Sequence, residues 1–234
     1  MTDIRLVQLH GSVFMAGLVV QDKVKLAESL NEAASHIFDG DTAVLPIPED
    51  AAPEIPRIIL RSKAGNKLLQ LSLKRLDLVF LLTGEGAEPI AFPNPDLSRL
   101  LLAVRGVIAS AAASSFSRAA LISNWVVALD RPGREFIRSR YLRDGSPAER
   151  AIEVEIHALE KSPVAGCDSN QWVRVQTAKK VSAPEDDRYL AVLVDINTST
   201  EKTHDFAGDL LARFLDEGQA LIGSLMAKHL GERR

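Results

Sequence analysis

The run PEIPRIILRSKAGNKLLQLSLKRLDLVFLL, from Pro53 to Leu82, constrains the fold more than any other part of this chain. Leu69, Leu71 and Leu73 share one parity, and Gln70, Ser72 and Lys74 share the other. Successive side chains of a strand point to opposite faces, so a strand gathers these leucines on one side, whereas a helix would scatter them. RIILRS and the leucine run flank KAGN, where Gly65 and Asn66 tolerate positive φ, so the pair reads as a β-hairpin. Leu76, Leu78 and Phe80 then change parity. Strict alternation forbids that within an unbroken strand, and a β-bulge at Lys74 and Arg75 is the expected device for keeping the leucines buried. The stretch is therefore expected to be a beam, contributing ~1.5–3 kcal/mol per fully buried leucine against the entropy of ordering.

The flanking sequence supplies the elements such a beam would carry. IRLVQLHGSVFMAGLVV reads as one long or broken strand, with Gly11 allowing a bend. Asp22 is placed to cap a helix whose apolar stripe is Leu26, Ala27, Leu30, Ala33, Ala34 and Ile37, and Gly40 is its expected stop. Prolines 46, 48, 53 and 56 then impose a surface crossing, read as packed and not as a proline-rich ligand because Val44, Leu45, Ile47 and Ile55 interleave with them. Asn94, Pro95 and Asp96 form a cap, a first-turn proline and a favourable dipole charge for a helix buried through Leu97, Leu100, Leu101, Val104 and Ile108. AALISNWVVAL reads as a strand, and GREFIRSRYLR offers Phe136, Ile137 and Tyr141 to a core.

The last third changes style. In AIEVEIHALE, Ile152, Val154, Ile156 and Ala158 share one face while Glu153, Glu155 and His157 share the other, the pattern of a strand wet on one side. QWVRVQTA and RYLAVLVDIN complete an antiparallel meander, and a helix is expected from about Thr203. Strands and helices do not alternate one for one, so the expected class is α+β: a mainly antiparallel sheet with helices packed on one face. GSPAER, at 145–150, is the expected joint between two halves, 1–148 and 149–234, unless the chain forms one continuous domain.

Composition narrows function by exclusion. With 28 basic and 31 acidic residues among 234, no global field draws the molecule to nucleic acid or to an anionic membrane. The single cysteine, Cys167, excludes an intrachain disulfide and a cysteine-based zinc site, and fits a reducing compartment. SVFMAGLVV lacks a cationic leader and runs directly into QDKVK, so it is not read as a signal peptide, and no run is long enough for a spanning helix. The expected location is cytoplasmic.

Local catalytic signatures are lacking: there is no G-x-x-x-x-G-K, G-x-G-x-x-G, G-x-S-x-G or H-E-x-x-H. His10, His36, His157, His204 and His229 stand far apart with no i, i+4 pair, so neither a metal nor a cofactor is expected. Asp195 and Asn197 at a strand end, with His204 and Asp205 in the following loop, are the acid–base candidates for a hydrolase-like reading; the plainer reading is that they shape a turn and cap a helix. The most local charge feature is the basic segment Arg131 to Arg143, in which Arg131, Arg134 and Arg138 would form a helical stripe for an anion or a partner, and Tyr141 could stack a base.

The combination of IPRIILRSKAGNKLLQLSLKRLDLVF, LISNWVVAL and the closing LAVLVDINTS resembles a sporadically distributed bacterial protein family of unknown function. The resemblance implies an accessory protein of the bacterial cytosol and transfers no catalytic residue. The expected function is non-enzymatic: binding to another protein or to a second copy of the chain. A nucleic-acid-associated module using Arg131–Arg143 is the alternative, and a hydrolase-like enzyme the third reading.

Overall fold

The computed structural model describes residues 3–48, 50–82, 89–112, 115–143, 145–146, 153–179 and 186–231. Most of the joint proposed at 145–150, together with Ile152, lies outside them. The described residues form a mixed α+β architecture of four helices and one nine-stranded sheet. The strands are β1 (Asp3–Met15), β2 (Thr42–Val44), β3 (Ile58–Arg61), β4 (Lys67–Leu71), β5 (Arg75–Leu81), β6 (Phe116–Ala128), β7 (Glu155–Val164), β8 (Cys167–Ala178) and β9 (Tyr189–Thr198). They lie in the order β2-β3-β4-β5-β1-β6-β9-β8-β7, and every neighbouring pair is antiparallel. The helices are α1 (Lys23–Ala33), α2 (Pro95–Ala112), α3 (Gly133–Tyr141) and α4 (Leu210–Leu230).

The leucine beam is a second hairpin and not a bulged strand. Ser72 N–H donates to the Arg75 carbonyl at 2.9 Å, and the Ser72 hydroxyl oxygen accepts from the amides of Lys74 and Arg75 at 3.2 and 3.0 Å. The chain thus reverses between β4 and β5. Leu71 faces Leu76 and Leu69 faces Leu78, and directly opposed residues of an antiparallel pair share a face. The parity change in the sequence is the signature of this reversal, and all four leucines are fully buried. Leu73, in the turn, is half-buried.

Two further boundaries differ from expectation for local reasons. α1 is capped as foreseen, by Asp22 Oδ1 accepting from Lys25 N–H at 2.9 Å, but it ends through Ser35 and His36, both at positive φ. Gly40 serves close approach instead: a methyl there would come within 2.9 Å of the Arg61 carbonyl oxygen and the Lys63 nitrogen. α4 starts at Leu210 and not near Thr203, because His204 and Phe206 donate their amides to the carbonyls of Ser117 and Phe116 at 3.1 and 3.0 Å, holding this segment against the start of β6. The β7–β8 connection tightens to Ala165 and Gly166, with φ of 51° and 79°, the paired positive values that match strand twist in two-residue hairpins.

One hydrophobic core runs through the molecule. Register places Leu9, Gly11 and Val13 of β1 on the same face as Leu78 of β5 and Leu121 of β6. A methyl at Gly11 would reach Leu101 Cδ2 of α2 at 3.0 Å, and one at Gly218 of α4 would reach Leu121 Cδ2 at 3.3 Å. Gly133 opens α3 directly under the Tyr189 carbonyl and beside Leu190. α1 packs against α2 and against β2 and β3. Buried Gln219 ties α4 to α2, accepting from Asn94 N–H at 2.5 Å and donating to Ser98 Oγ at 3.1 Å.

Candidate functional site

The other parity of the central strands gathers the polar residues that the sequence scatters. Directly paired residues form a row across the sheet: Leu159 of β7, Trp172 of β8, Asp195 of β9, Ile122 of β6, His10 of β1 and Val79 of β5. Beside it runs a polar row containing Asn170, Asn197, Ser12 and Asp77. Trp172 is 40 % exposed and Leu159 42 %, so a cross-strand apolar pair stands in solvent on this surface.

At the centre His10, Ser12 and Asp77 close a triangle. Ser12 Oγ donates to Asp77 Oδ1 at 2.5 Å, His10 Nε2 lies 2.9 Å from the same oxygen, and Nε2 is also 2.9 Å from Ser12 Oγ. Arg75 Nε donates to the second carboxylate oxygen at 2.7 Å. Ser12 is 3 % exposed and Asp77 4 %. Burial pushes the Asp77 carboxyl up, but the hydrogen bonds from His10 and Ser12, with the charges of His10 and Arg75, outweigh it and hold the group below its ordinary range.

These are the residue types of a nucleophilic triad in a different arrangement. In a triad the carboxylate binds one imidazole nitrogen and leaves the other to take the serine proton. Here the serine gives its proton to the carboxylate, and the nitrogen facing both groups is the one that must donate to Asp77. The hydroxyl is pinned, not activated. The triangle holds β1 to β5 and sets the side-chain layout of the surface.

Asp195, one of the four acid–base candidates, is half-buried in the same row as Trp172 and Ile122. Its Oδ1 accepts from Asn197 Nδ2 at 3.0 Å, and Asn197 Oδ1 accepts from Asn170 Nδ2 at 3.2 Å. Burial raises the Asp195 carboxyl above its ordinary value, only partly countered by Asn197 and the His10 charge. His204 has a different neighbourhood: its amide bonds to Ser117, and its ring meets Phe206 edge-on at 6.2 Å. Asp205 Oδ1 accepts from Ala207 N–H at 3.1 Å and shapes the loop. Two arginines complete the outer end of the polar face, with guanidinium carbons of Arg118 and Arg75 lying 4.9 and 5.9 Å from the ring centre of Phe14.

The arginine segment folds as α3. Arg131 sits over the Phe136 ring at 5.5 Å, Arg134 is exposed and Arg138 is half-buried. The end of this helix is a seam with α4: Arg140 donates to the Lys228 carbonyl, and Tyr141 Oη lies 3.1 Å from His229 Nδ1 and 3.0 Å from the His229 carbonyl. Tyr141 is stacked on His229, not presented to a base, and burial pushes its phenol up to about 12.

His10, Ser12 and Asp77 were missed as a group because 65 or more residues separate the aspartate from the other two. A local signal existed: His10 and Ser12 share a strand face, and Asp77 interrupts an otherwise apolar alternation. Among the described residues no group of three His, Cys, Asp or Glu side chains is placed to hold a metal ion, and no helix is long and apolar enough to cross a membrane. No protein-family model matches the chain. No curated protein matches it either.

Proposed function

We propose that this chain is a non-enzymatic interaction protein of the bacterial cytosol, in which the helices cover one face of the sheet and the outer part of the row on the other face, from Leu159 through Trp172 and Asp195 to Ile122, docks against a second protein surface. The observation that carries the reading is the exposed Trp172–Leu159 pair. Tryptophan is enriched among residues that dominate interface energetics, and a surface indole bordered by hydrogen-bonded polar side chains has the composition of an interface centre with its rim. The pinned serine of the central triangle supports binding over hydrolysis. A second copy of the chain is the simplest partner, and a different protein is the other outcome.

The test is sedimentation of the wild-type chain and of Trp172→Glu over a hundredfold range of concentration. A wild-type mass that doubles, and a variant that stays monomeric with an unchanged melting temperature, supports self-association. If both stay monomeric, capture from bacterial lysate with the wild type and the variant as baits decides. A protein retained by the wild type and lost by Trp172→Glu supports a foreign partner, and identical behaviour of the two baits refutes the proposal.

A further inference from the structure

A second feature lies away from the sheet-face row. Between the segment leading into α1 and the β3–β4 hairpin there is a cavity of about 340 Å³ with apolar walls that include Leu18, Leu26, Ile58 and Leu71. Its volume falls among those of small-molecule sites. Two cationic side chains line it, Arg57 and Lys23, and no carboxylate does among the described residues.

Arg57 is the unusual group. It is 3 % exposed, yet among the described residues its guanidinium bonds only to neutral carbonyls: Nη1 donates to Ile55 at 3.0 Å and Nη2 to Pro48 at 3.4 Å. Burying a charge is costly unless an opposite charge compensates it, and two carbonyls supply partial dipoles only. A guanidinium also carries more N–H groups than these two acceptors use, in a planar fork that matches a carboxylate. Lys23, the first residue of α1, lines the same cavity and brings a second positive charge to it. Asp22 lines the neighbouring depression and not this cavity, and its carboxylate caps α1 by accepting from the Lys25 amide.

We propose that this cavity binds an aliphatic monocarboxylate, its head held by Arg57 and Lys23 and its chain lying along Leu18, Leu26, Ile58 and Leu71. The walls exclude a highly charged ligand, since a phosphate dianion would need several more donors than an otherwise apolar lining offers. The solvent-exposed Val19 at the same cavity extends the apolar path outward.

Calorimetric titration with sodium octanoate and with octan-1-ol tests this on the full chain. Octanoate is expected to bind one to one and at least ~10-fold more tightly than the alcohol, the ratio for a charge-assisted hydrogen bond that the alcohol cannot make. Arg57→Gln should remove that ratio, and Leu73→Trp, which places a bulky ring in the cavity and leaves Arg57 itself unchanged, should abolish both bindings. Should Arg57→Gln fail to fold, Lys23→Gln provides the second reading, with an expected loss of ~3-fold for octanoate and none for octanol. Equal affinity for acid and alcohol, no binding of octanoate to the wild type, or binding only of a peptide with a free C-terminal carboxylate would each overturn the proposal.

Discussion

Removing the Asp77 carboxylate probes the triangle directly. In Asp77→Ala the Ser12 hydroxyl, 3 % exposed, loses its acceptor, and a buried donor left unsatisfied costs about 1–3 kcal/mol. His10 Nε2 loses the carboxylate as well, while the Arg75 contact is discounted to about 0–1 kcal/mol because that guanidinium is part-exposed. The expected loss is about 3 kcal/mol. Ser12→Ala alone removes one hydrogen bond to a charged group, about 1.5–2 kcal/mol, and the double variant no longer strands a hydroxyl, so the two losses should fall short of additivity by about 1–2 kcal/mol. Urea unfolding followed by the fluorescence of Trp125 and Trp172 measures this as a shift in midpoint at constant slope. The pH dependence has a fixed sign. The folded chain holds the Asp77 proton less tightly than an ordinary carboxyl of pKa 3.8, so this stabilisation is present above that value and is lost as pH falls through the lower folded pKa. The gap between wild type and Asp77→Ala should therefore close in acid. A loss under about 0.5 kcal/mol at neutral pH, or strict additivity with Ser12→Ala, refutes the account of the triangle as a structural knot.

Two further outcomes follow from the packing. Gly40→Ala places a methyl 2.9 Å from backbone atoms of Arg61, Ser62 and Lys63, which cannot rotate away, so a lower melting temperature and a loss of about 1–3 kcal/mol are expected by calorimetry. Burial, aided by the charges of Lys228 and Arg140, lowers the His229 imidazole below its ordinary 6.5, so the folded state resists protonation. Its contribution is complete above 6.5 and is lost as pH falls through that value toward the folded pKa; melting temperatures at pH 7.5 and 5.5 (about a unit either side of 6.5) should differ less in His229→Gln than in the wild type.

The meander of β7 to β9 was legible because its alternation is clean, and α2 because Asn94 caps it as the sequence indicates, with Oδ1 accepting from Leu97 N–H at 2.9 Å. The β4–β5 reversal was not, because its turn, Ser72-Leu73-Lys74-Arg75, contains no glycine, proline or asparagine and is closed by a serine side chain. A parity change alone does not distinguish a bulge from a reversal. The late start of α4 was hidden for another reason: Phe206 fits a helical stripe, but pairing with Phe116, 90 residues upstream, outbids local propensity. The triangle was invisible to any short-range pattern, since only register brings β5 beside β1.

The row from Leu159 to Ile122 departs from what a merely solvated sheet face requires. Such a face carries polar residues at the outward positions, yet here Ile122, Leu193, Trp172 and Leu159 all have that parity and none of them is buried. A face sealed in a core would instead exclude His10 and Asp195, both half-buried, whose polar atoms meet partners on the same face. Mixed composition with prearranged polar groups suits a surface covered part of the time, because its donors and acceptors stay partnered whether or not a protein lies on it. The edge of the sheet points the same way: β7 carries Glu155, His157, Glu160 and Lys161, charges that oppose strand-to-strand addition. Association at that end is therefore expected through the face, and Trp172, paired with Leu159 next to this charged edge, is where a partner would gain most from excluding water.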